Sequence, residues 1–131
     1  MVVGGSMFRG FFRNLCCAIF LLAGAAGLAG ATPSPNEGKV IESLIQRVSN
    51  RANMVFLRNG NEYSAADAAK HMREKYEYFK QEIVTAEDFI LRCGTRSEMT
   101  KVPYKVKLAG GNAVRDSSDF LHEELRALRQ R

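Results

Sequence analysis

A short apolar segment near the amino terminus limits how much of this chain can fold as a domain. Arg9 and Arg13 precede an uncharged apolar run, Leu15–Ala29, which leads into the small residues Ala-Gly-Ala. A positive start, an apolar stretch and small residues at positions −3 and −1 are typical of a cleavable secretory signal peptide. The run has 15 residues, whereas about 20 are needed to span a bilayer. We therefore expect residues 1–31 to be removed, from a start at Met1 or Met7, and no stable membrane insertion afterwards.

Removal of this segment would leave a domain, residues 32–131, with one cysteine and little net charge. Cys16 and Cys17 leave with the signal, and Cys93 remains. One thiol cannot form an intrachain disulfide, a CxxC redox site or a Cys-rich zinc site, so the domain is expected to be disulfide-free. The loss of two of the 19 basic residues and none of the 14 acidic ones lowers the formal net charge from +5 to +3. Scattered positive charge without Trp argues against nucleic-acid binding.

The spacing of apolar residues predicts a single small α+β domain, with about four helices packed on a small antiparallel sheet of short hairpin strands. Start signals for helices occur at four places: Ser34, Ser64, Thr85 and residues 116–118. At the first of these, Glu37 is placed to close a capping box. The residues expected to face the core are Ile41, Leu44, Ile45 and Val48, then Ala65, Ala68, Ala69, Met72, Tyr76 and Phe79, then Ala86, Phe89, Ile90 and Cys93, and last Leu121, Leu125 and Leu128.

Two hairpins are predicted between these helices. Residues 54–57 are short and apolar, which indicates a buried strand, and Asn59-Gly60 is a strong turn signal because both residues tolerate a positive φ. Glu62-Tyr63 would form the returning strand. Residues 103–108 alternate apolar and polar side chains, which favours a half-buried strand with Tyr104 as a core anchor, and residues 113–115 are expected to pair back.

Four short segments of the chain, in this order and spacing, resemble those of a known protein family. They are Val-Phe-Leu-Arg-Asn-Gly-Asn-Glu-Tyr-Ser at 55–64, Ala-Ala-Lys-His-Met-Arg-Glu-Lys at 68–75, Thr-Ala-Glu-Asp-Phe-Ile at 85–90 and Lys-Val-Pro-Tyr at 101–104. Together they resemble the YfeK-like family of small exported proteobacterial proteins. The resemblance implies a periplasmic location and a shared fold. It supplies no activity, substrate or catalytic residue.

The densest polar cluster lies around the Asn-Gly turn, and it has two interpretations. Arg58, Asn59, Glu62 and Tyr63 could bind a carboxylate or a peptide end, because an arginine fork matches carboxylate geometry. Alternatively Asn59 only makes the turn, Tyr63 packs, and Arg58 pairs with Glu62.

His71 is the other candidate, at the edge of the apolar face of the second helix. Asp67 lies one turn before it, so the pair could orient an imidazole as a general base. The structural alternative is a local ion pair on the helix surface. His122 is the only other histidine, and a metal site shared with it would require the fold to bring the two together.

The sequence favours a non-catalytic interaction, accessory or binding module of the cell envelope, located in the periplasm, whose partner is an envelope protein or peptide. The alternatives are a small hydrolase or metal-dependent enzyme that uses Asp67 and His71, and a weak binder of anionic envelope material. No catalytic residue, metal ligand or cofactor is assigned, and the oligomeric state stays undefined. The deciding structural question is whether Arg58, Tyr63 and His71 line one pocket.

Overall fold

Helices begin where the sequence provides caps. The computed structural model describes residues 31–131, so all of the expected signal peptide except Ala31 lies outside the described residues. The described helices are α1 (Pro35–Ser49), α2 (Ala65–Phe79), α3 (Ala86–Cys93) and α4 (Ser117–Arg129), with one 3₁₀ turn, Lys80–Glu82, after α2. None of the described helices is long and apolar enough to span a bilayer.

Side-chain caps were predicted correctly at three helix starts. The Ser34 hydroxyl accepts a hydrogen bond from the third residue of α1 at 3.2 Å, and Ser64 does the same for α2 at 3.1 Å. At α3, Thr85 and Asp88 form a reciprocal capping box, which satisfies two backbone N–H groups that the helix itself leaves without partners.

The capping box predicted for Glu37 is wrong. Its carboxylate accepts a hydrogen bond from the backbone N–H of Ala86 at 2.7 Å and pairs with Arg129 at 3.0 Å. The Glu37 side chain therefore joins the first turn of α1 to the first turn of α3 and the last turn of α4. The hydrogen bonds to Ala86 and Arg129 replace the local hydrogen bond of a capping box. The Arg129 guanidinium lowers the pKa of the Glu37 carboxyl.

The strands form one open antiparallel sheet in the order β2-β1-β3-β4. They are β1 (Met54–Arg58), β2 (Asn61–Ser64), β3 (Lys105–Leu108) and β4 (Arg115–Asp116). Asn59 and Gly60 connect β1 to β2 with φ angles of 50° and 82°. Both angles lie in the left-handed region, as a two-residue turn with the twist of the flanking strands requires.

The helices cover one face of the sheet. The expected apolar stripes are buried, except that Phe79 and Leu128 are only partly buried. Phe56 of β1 and Val106 of β3 face each other in register on the covered side, and both are buried. Leu108, expected on the same side, is 56% exposed where β3 ends. The α+β prediction is confirmed, and the inner face of the sheet positions the site described next.

Candidate functional site

A cavity of about 280 Å³ lies where the inner face of the sheet meets α2. Its wall is mostly apolar and includes Phe56, Ala68, Met72 and the Cys93 side chain. The small side chain of Ala68 on α2 leaves space that a larger side chain would fill. The full lining is Phe56, Leu57, Arg58, Tyr63, Asp67, Ala68, Lys70, His71, Met72, Glu74, Cys93 and Tyr104.

Arg58, His71 and Tyr104 meet at one side of this cavity. Arg58 Nη1 lies 3.1 Å from Nδ1 and 2.9 Å from Nε2 of His71, and donates to whichever ring nitrogen carries the lone pair. Tyr104 Oη lies 3.4 Å from His71 Nε2. The guanidinium also stacks over the ring of Tyr63, with Cζ 5.0 Å from the ring centroid. The four side chains come from β1, β2, α2 and the residue before β3, so only the tertiary fold assembles them.

Lys75 adds a second, buried cation one turn beyond His71. Its Nζ donates to the backbone carbonyl of Arg96 at 3.1 Å and to Tyr104 Oη at 3.4 Å. The nearest carboxylate oxygen, Oε1 of Glu98, lies 4.0 Å away. We call Arg58, His71, Lys75 and Tyr104 the cationic cluster.

The guanidinium of Arg58 lacks an anionic partner within residues 31–131. Its direct hydrogen bonds go to an imidazole, and its buried Nε has no hydrogen-bond partner among the described residues. Asp67 and Glu74 line the same cavity without forming an ion pair to Arg58. A partly buried guanidinium that is neither paired nor fully hydrogen-bonded is costly, and a bound anion would remove that cost.

The charges of the cluster keep the His71 imidazole neutral. Burial and the neighbouring Arg58 and Lys75 cations lower the pKa of His71, while Glu74 acts in the opposite direction. Burial likewise lowers the pKa of the Lys75 ammonium and raises the pKa of the Tyr104 phenol. A neutral imidazole can accept from Arg58 while its other nitrogen donates, which makes it a polar contact for a ligand.

The environment of the cavity-lining thiol of Cys93 disfavours the thiolate. Cys93 is fully buried, as the sequence predicts, and burial raises the pKa of its thiol to about 12. The nucleophilic thiolate is therefore scarce at neutral pH.

The structure brings three of the five candidate residues together. Arg58, Tyr63 and His71 line the one cavity. Glu62 does not line it and pairs instead with Lys107 of β3 at 2.7 Å, so the predicted Arg58–Glu62 pair is wrong. Asn59 makes the turn, and its amide oxygen accepts from the Thr100 hydroxyl at 2.7 Å.

Asp67 and His71 do not form the general-base pair that their spacing of four residues suggested. Asp67 lines the cavity beside His71, yet no hydrogen bond joins the two in the described structure, and the ring nitrogens face Arg58 and Tyr104 instead. His122, on α4, does not line this cavity. Across residues 31–131, no group of three or more His, Cys, Asp or Glu side chains is arranged to hold a metal ion.

A family model for a family of unknown function, DUF5329, matches residues 35–129, which is nearly all of the described domain. The chain belongs to the DUF5329 family. It is also similar to the uncharacterized protein YfeK of Salmonella typhimurium strain LT2, with 27% identity over 92 residues that cover 70% of this chain and 76% of the relative. The family resemblance inferred from the four short segments is thereby confirmed. No solved structure matches the chain.

Sequence reasoning missed two members of the cationic cluster in this DUF5329 chain. Tyr104 was expected only as a core anchor, and it is indeed buried, but its hydroxyl contacts both His71 and Lys75. Lys75 gave one usable signal, since it follows His71 by four residues and therefore shares its helix face. Nothing local to residues 101–104 indicates that Tyr104 would meet that face.

Proposed function

We propose that this DUF5329 chain is an exported, non-catalytic binding module of the cell envelope, and that its cationic cluster binds the anionic end of a small, partly apolar ligand. One observation carries the proposal. Arg58 stands at the wall of an apolar cavity with its charge facing a neutral imidazole. Arginine forks recognise carboxylates with two parallel hydrogen bonds, and apolar walls with a few convergent polar groups are typical of ligand sites.

The size of the cavity supports a small ligand. Its volume of about 280 Å³ lies near the lower end of the roughly 300–1,000 Å³ that ligand pockets occupy. An acyl chain or side chain of a few carbons would contact Phe56 and Met72 while its carboxylate lies beside Arg58.

The chemistry of the cavity supports binding over hydrolysis. A general base works best with a pKa near the operating pH, whereas burial and the neighbouring cations lower the pKa of His71, and Arg58 donates a hydrogen bond to its ring. The thiol of Cys93, with a pKa of about 12, is a poor nucleophile.

Export to the periplasm is part of the proposal and rests on the composition of residues 1–31. Expression of the full chain, followed by fractionation and mass spectrometry of the intact protein, tests it. We expect a periplasmic product that begins at Thr32. A full-length product in the cytoplasmic fraction would contradict export.

Calorimetric titration tests the binding site. N-acetyl-leucine, which joins a carboxylate to a four-carbon apolar side chain, is titrated into the periplasmic protein, with its primary amide as the matched probe. We expect the acid to bind and the amide to bind at least about tenfold more weakly, because it lacks the charge-assisted hydrogen bonds. Equal affinity for the two probes, or no binding of either, would contradict the proposal.

A matched pair of variants locates the site. Arg58→Gln should abolish binding of N-acetyl-leucine. Arg126→Gln removes the same charge from the exposed surface of α4 and should leave binding unchanged. If both variants weakened binding equally, general attraction to positive charge would explain the effect, which is the behaviour of a weak binder of anionic envelope material.

A further inference from the structure

A second, more open groove adjoins the cavity. It has a volume of about 680 Å³ and shares four lining residues with the cavity: Arg58, His71, Glu74 and Tyr104. The cationic cluster is therefore the boundary between an apolar cavity on one side and a wider groove on the other. A ligand whose charged group lies at Arg58 can extend into both.

The groove exposes large apolar side chains from two separate segments. Tyr78, near the end of α2, is 83% exposed, and Met99, in the loop before β3, is 94% exposed. Single exposed apolar residues are ordinary. Two of them in the lining of one groove that also includes the unpaired guanidinium of Arg58 form a surface that a ligand longer than one residue would cover.

Polar side chains line the groove as well. Ser97, Glu98 and Asn59 also line the groove, and the loop from 95 to 104 is held in place by backbone hydrogen bonds such as Tyr104 N–H to Thr95 O at 2.9 Å. A lining that combines polar and apolar side chains suits a peptide, whose backbone presents donors and acceptors between its side chains.

We infer that the ligand is a peptide carboxyl terminus with an apolar last residue. Its terminal carboxylate lies against Arg58, the last side chain fills the cavity, and the preceding residues run along the groove between Tyr78 and Met99. This inference rests on the proposed function, to which it adds the chemical class of the ligand. Capture of a C-terminal carboxylate is one of the recurring modes of peptide recognition.

Peptide pools test the ligand class. Two acetylated hexapeptide pools, randomised at the first five positions and ending in leucine, carry a free carboxylate or a carboxamide, and N-acetyl-leucine serves as the one-residue probe. Calorimetric titration into the periplasmic protein gives the affinities. We expect the free-acid pool to bind at least about tenfold tighter than both the amide pool and N-acetyl-leucine, since it alone makes the charged contact and covers the groove.

Groove variants separate this inference from the proposed function. Met99→Ser should weaken binding of the free-acid pool about fivefold, because an apolar contact is lost. It should leave the affinity for N-acetyl-leucine unchanged. Val114→Ser is the matched control, because Val114 is 50% exposed and lies outside the groove. Both side chains are at least half exposed, so neither substitution puts the fold at risk.

The outcomes are distinguishable. If N-acetyl-leucine binds through Arg58 as tightly as the free-acid pool, and Met99→Ser changes neither, the peptide inference is wrong while the proposed function stands. If no carboxylate probe binds, or if Arg58→Gln has no effect, both are wrong. Binding of the amide pool equal to that of the acid pool would also overturn the inference.

Discussion

Two clusters of charged side chains lie in the same domain and are built in opposite ways. In the first, the carboxylate of Glu124, only 8% exposed, accepts from Arg47 Nε at 2.6 Å and also pairs with Arg51. In the second, Arg58 and Lys75 are held next to each other around His71, and the described residues provide no directly bonded carboxylate.

The contrast separates stability from binding. Both oxygens of Glu124 have cationic partners, so this cluster is complete within the protein and joins α1 to α4. The cationic cluster is less complete, because Arg58 faces an imidazole and a cavity and the only carboxylate paired with Lys75 among the described residues lies 4.0 Å away. Charged groups that lack partners are costly to folding, and sites that bind ligands often retain such a cost.

The largest loss of stability is expected from removing the charge of Glu124. Glu124→Gln keeps the shape of the side chain but leaves Arg47 and Arg51 without their anion, so urea denaturation should show a loss of about 2 kcal/mol in the free energy of unfolding. The partial exposure of both arginines limits the loss. Glu123→Gln, on the exposed side of the same helix, is the control and should cost clearly less than Glu124→Gln. Equal losses would remove the distinction between the clusters.

Removal of a helix cap should cause an intermediate loss in the free energy of unfolding. Thr85→Ala removes one half of the capping box of α3 and should lower the free energy of unfolding by about 1 kcal/mol. Thermal denaturation against the wild-type protein measures it. Ser64→Ala, which removes a simple cap on α2, should cost the same or less. Unchanged melting temperatures would show that these caps are not formed in solution.

Removal of a charge from the cationic cluster should change the free energy of unfolding little, in contrast to Glu124→Gln. Arg58→Met keeps an unbranched stem against Tyr63 and removes the unpaired charge, so the free energy of unfolding should change by less than about 1 kcal/mol. The same variant should raise the pKa of His71, because it removes a neighbouring cation. Urea denaturation and NMR titration measure the two effects. A loss as large as that of Glu124→Gln would mean that Arg58 is a structural residue.

The smallest effect is a pH dependence of stability that belongs to His71. The fold lowers its pKa through burial, Arg58 and Lys75, opposed by Glu74, with the buried Tyr104 phenol also in contact. Between the unfolded value of about 6.5 and the lower folded value, the unfolded chain binds more protons. The free energy of unfolding should therefore fall as the pH drops through this window, and this group should contribute no slope above it.

His71→Gln tests this assignment, because it should remove that part of the slope. The carboxyls with lowered pKa values, such as Glu37 and Asp88, have ordinary values of 4.5 and 3.8. Their contribution to the slope near pH 6 is therefore small. A slope near pH 6 that persists in His71→Gln would have another origin.

The fold was largely predictable because its signals are local. Helical stripes, caps and the Asn-Gly turn each depend on residues within a few positions of one another. The prediction went wrong where a distant residue competes with a near one. Glu37 bonds Ala86 and Arg129 in place of its own cap, and Arg58 bonds His71 in place of Glu62.

The site was predictable only in part, for the same reason. Arg58, Tyr63 and His71 are close in sequence and were singled out together, whereas Tyr104 and Lys75 became part of the cluster through packing of β3 and α2. The sequence indicates Arg58 as a candidate but does not show that Glu124 is buried and paired while Arg58 lacks an anionic partner among the described residues. Whether each finds a partner is decided by tertiary contacts 13 to 77 residues apart.

The pKa of His71, measured by NMR with and without saturating N-acetyl-leucine, tests the central claim most directly. If a carboxylate binds at the cationic cluster, its negative charge stabilises the imidazolium, and the pKa of His71 must rise on binding. The primary amide should leave that pKa unchanged. A His71 pKa that is the same with and without the acid would contradict an anion site at Arg58.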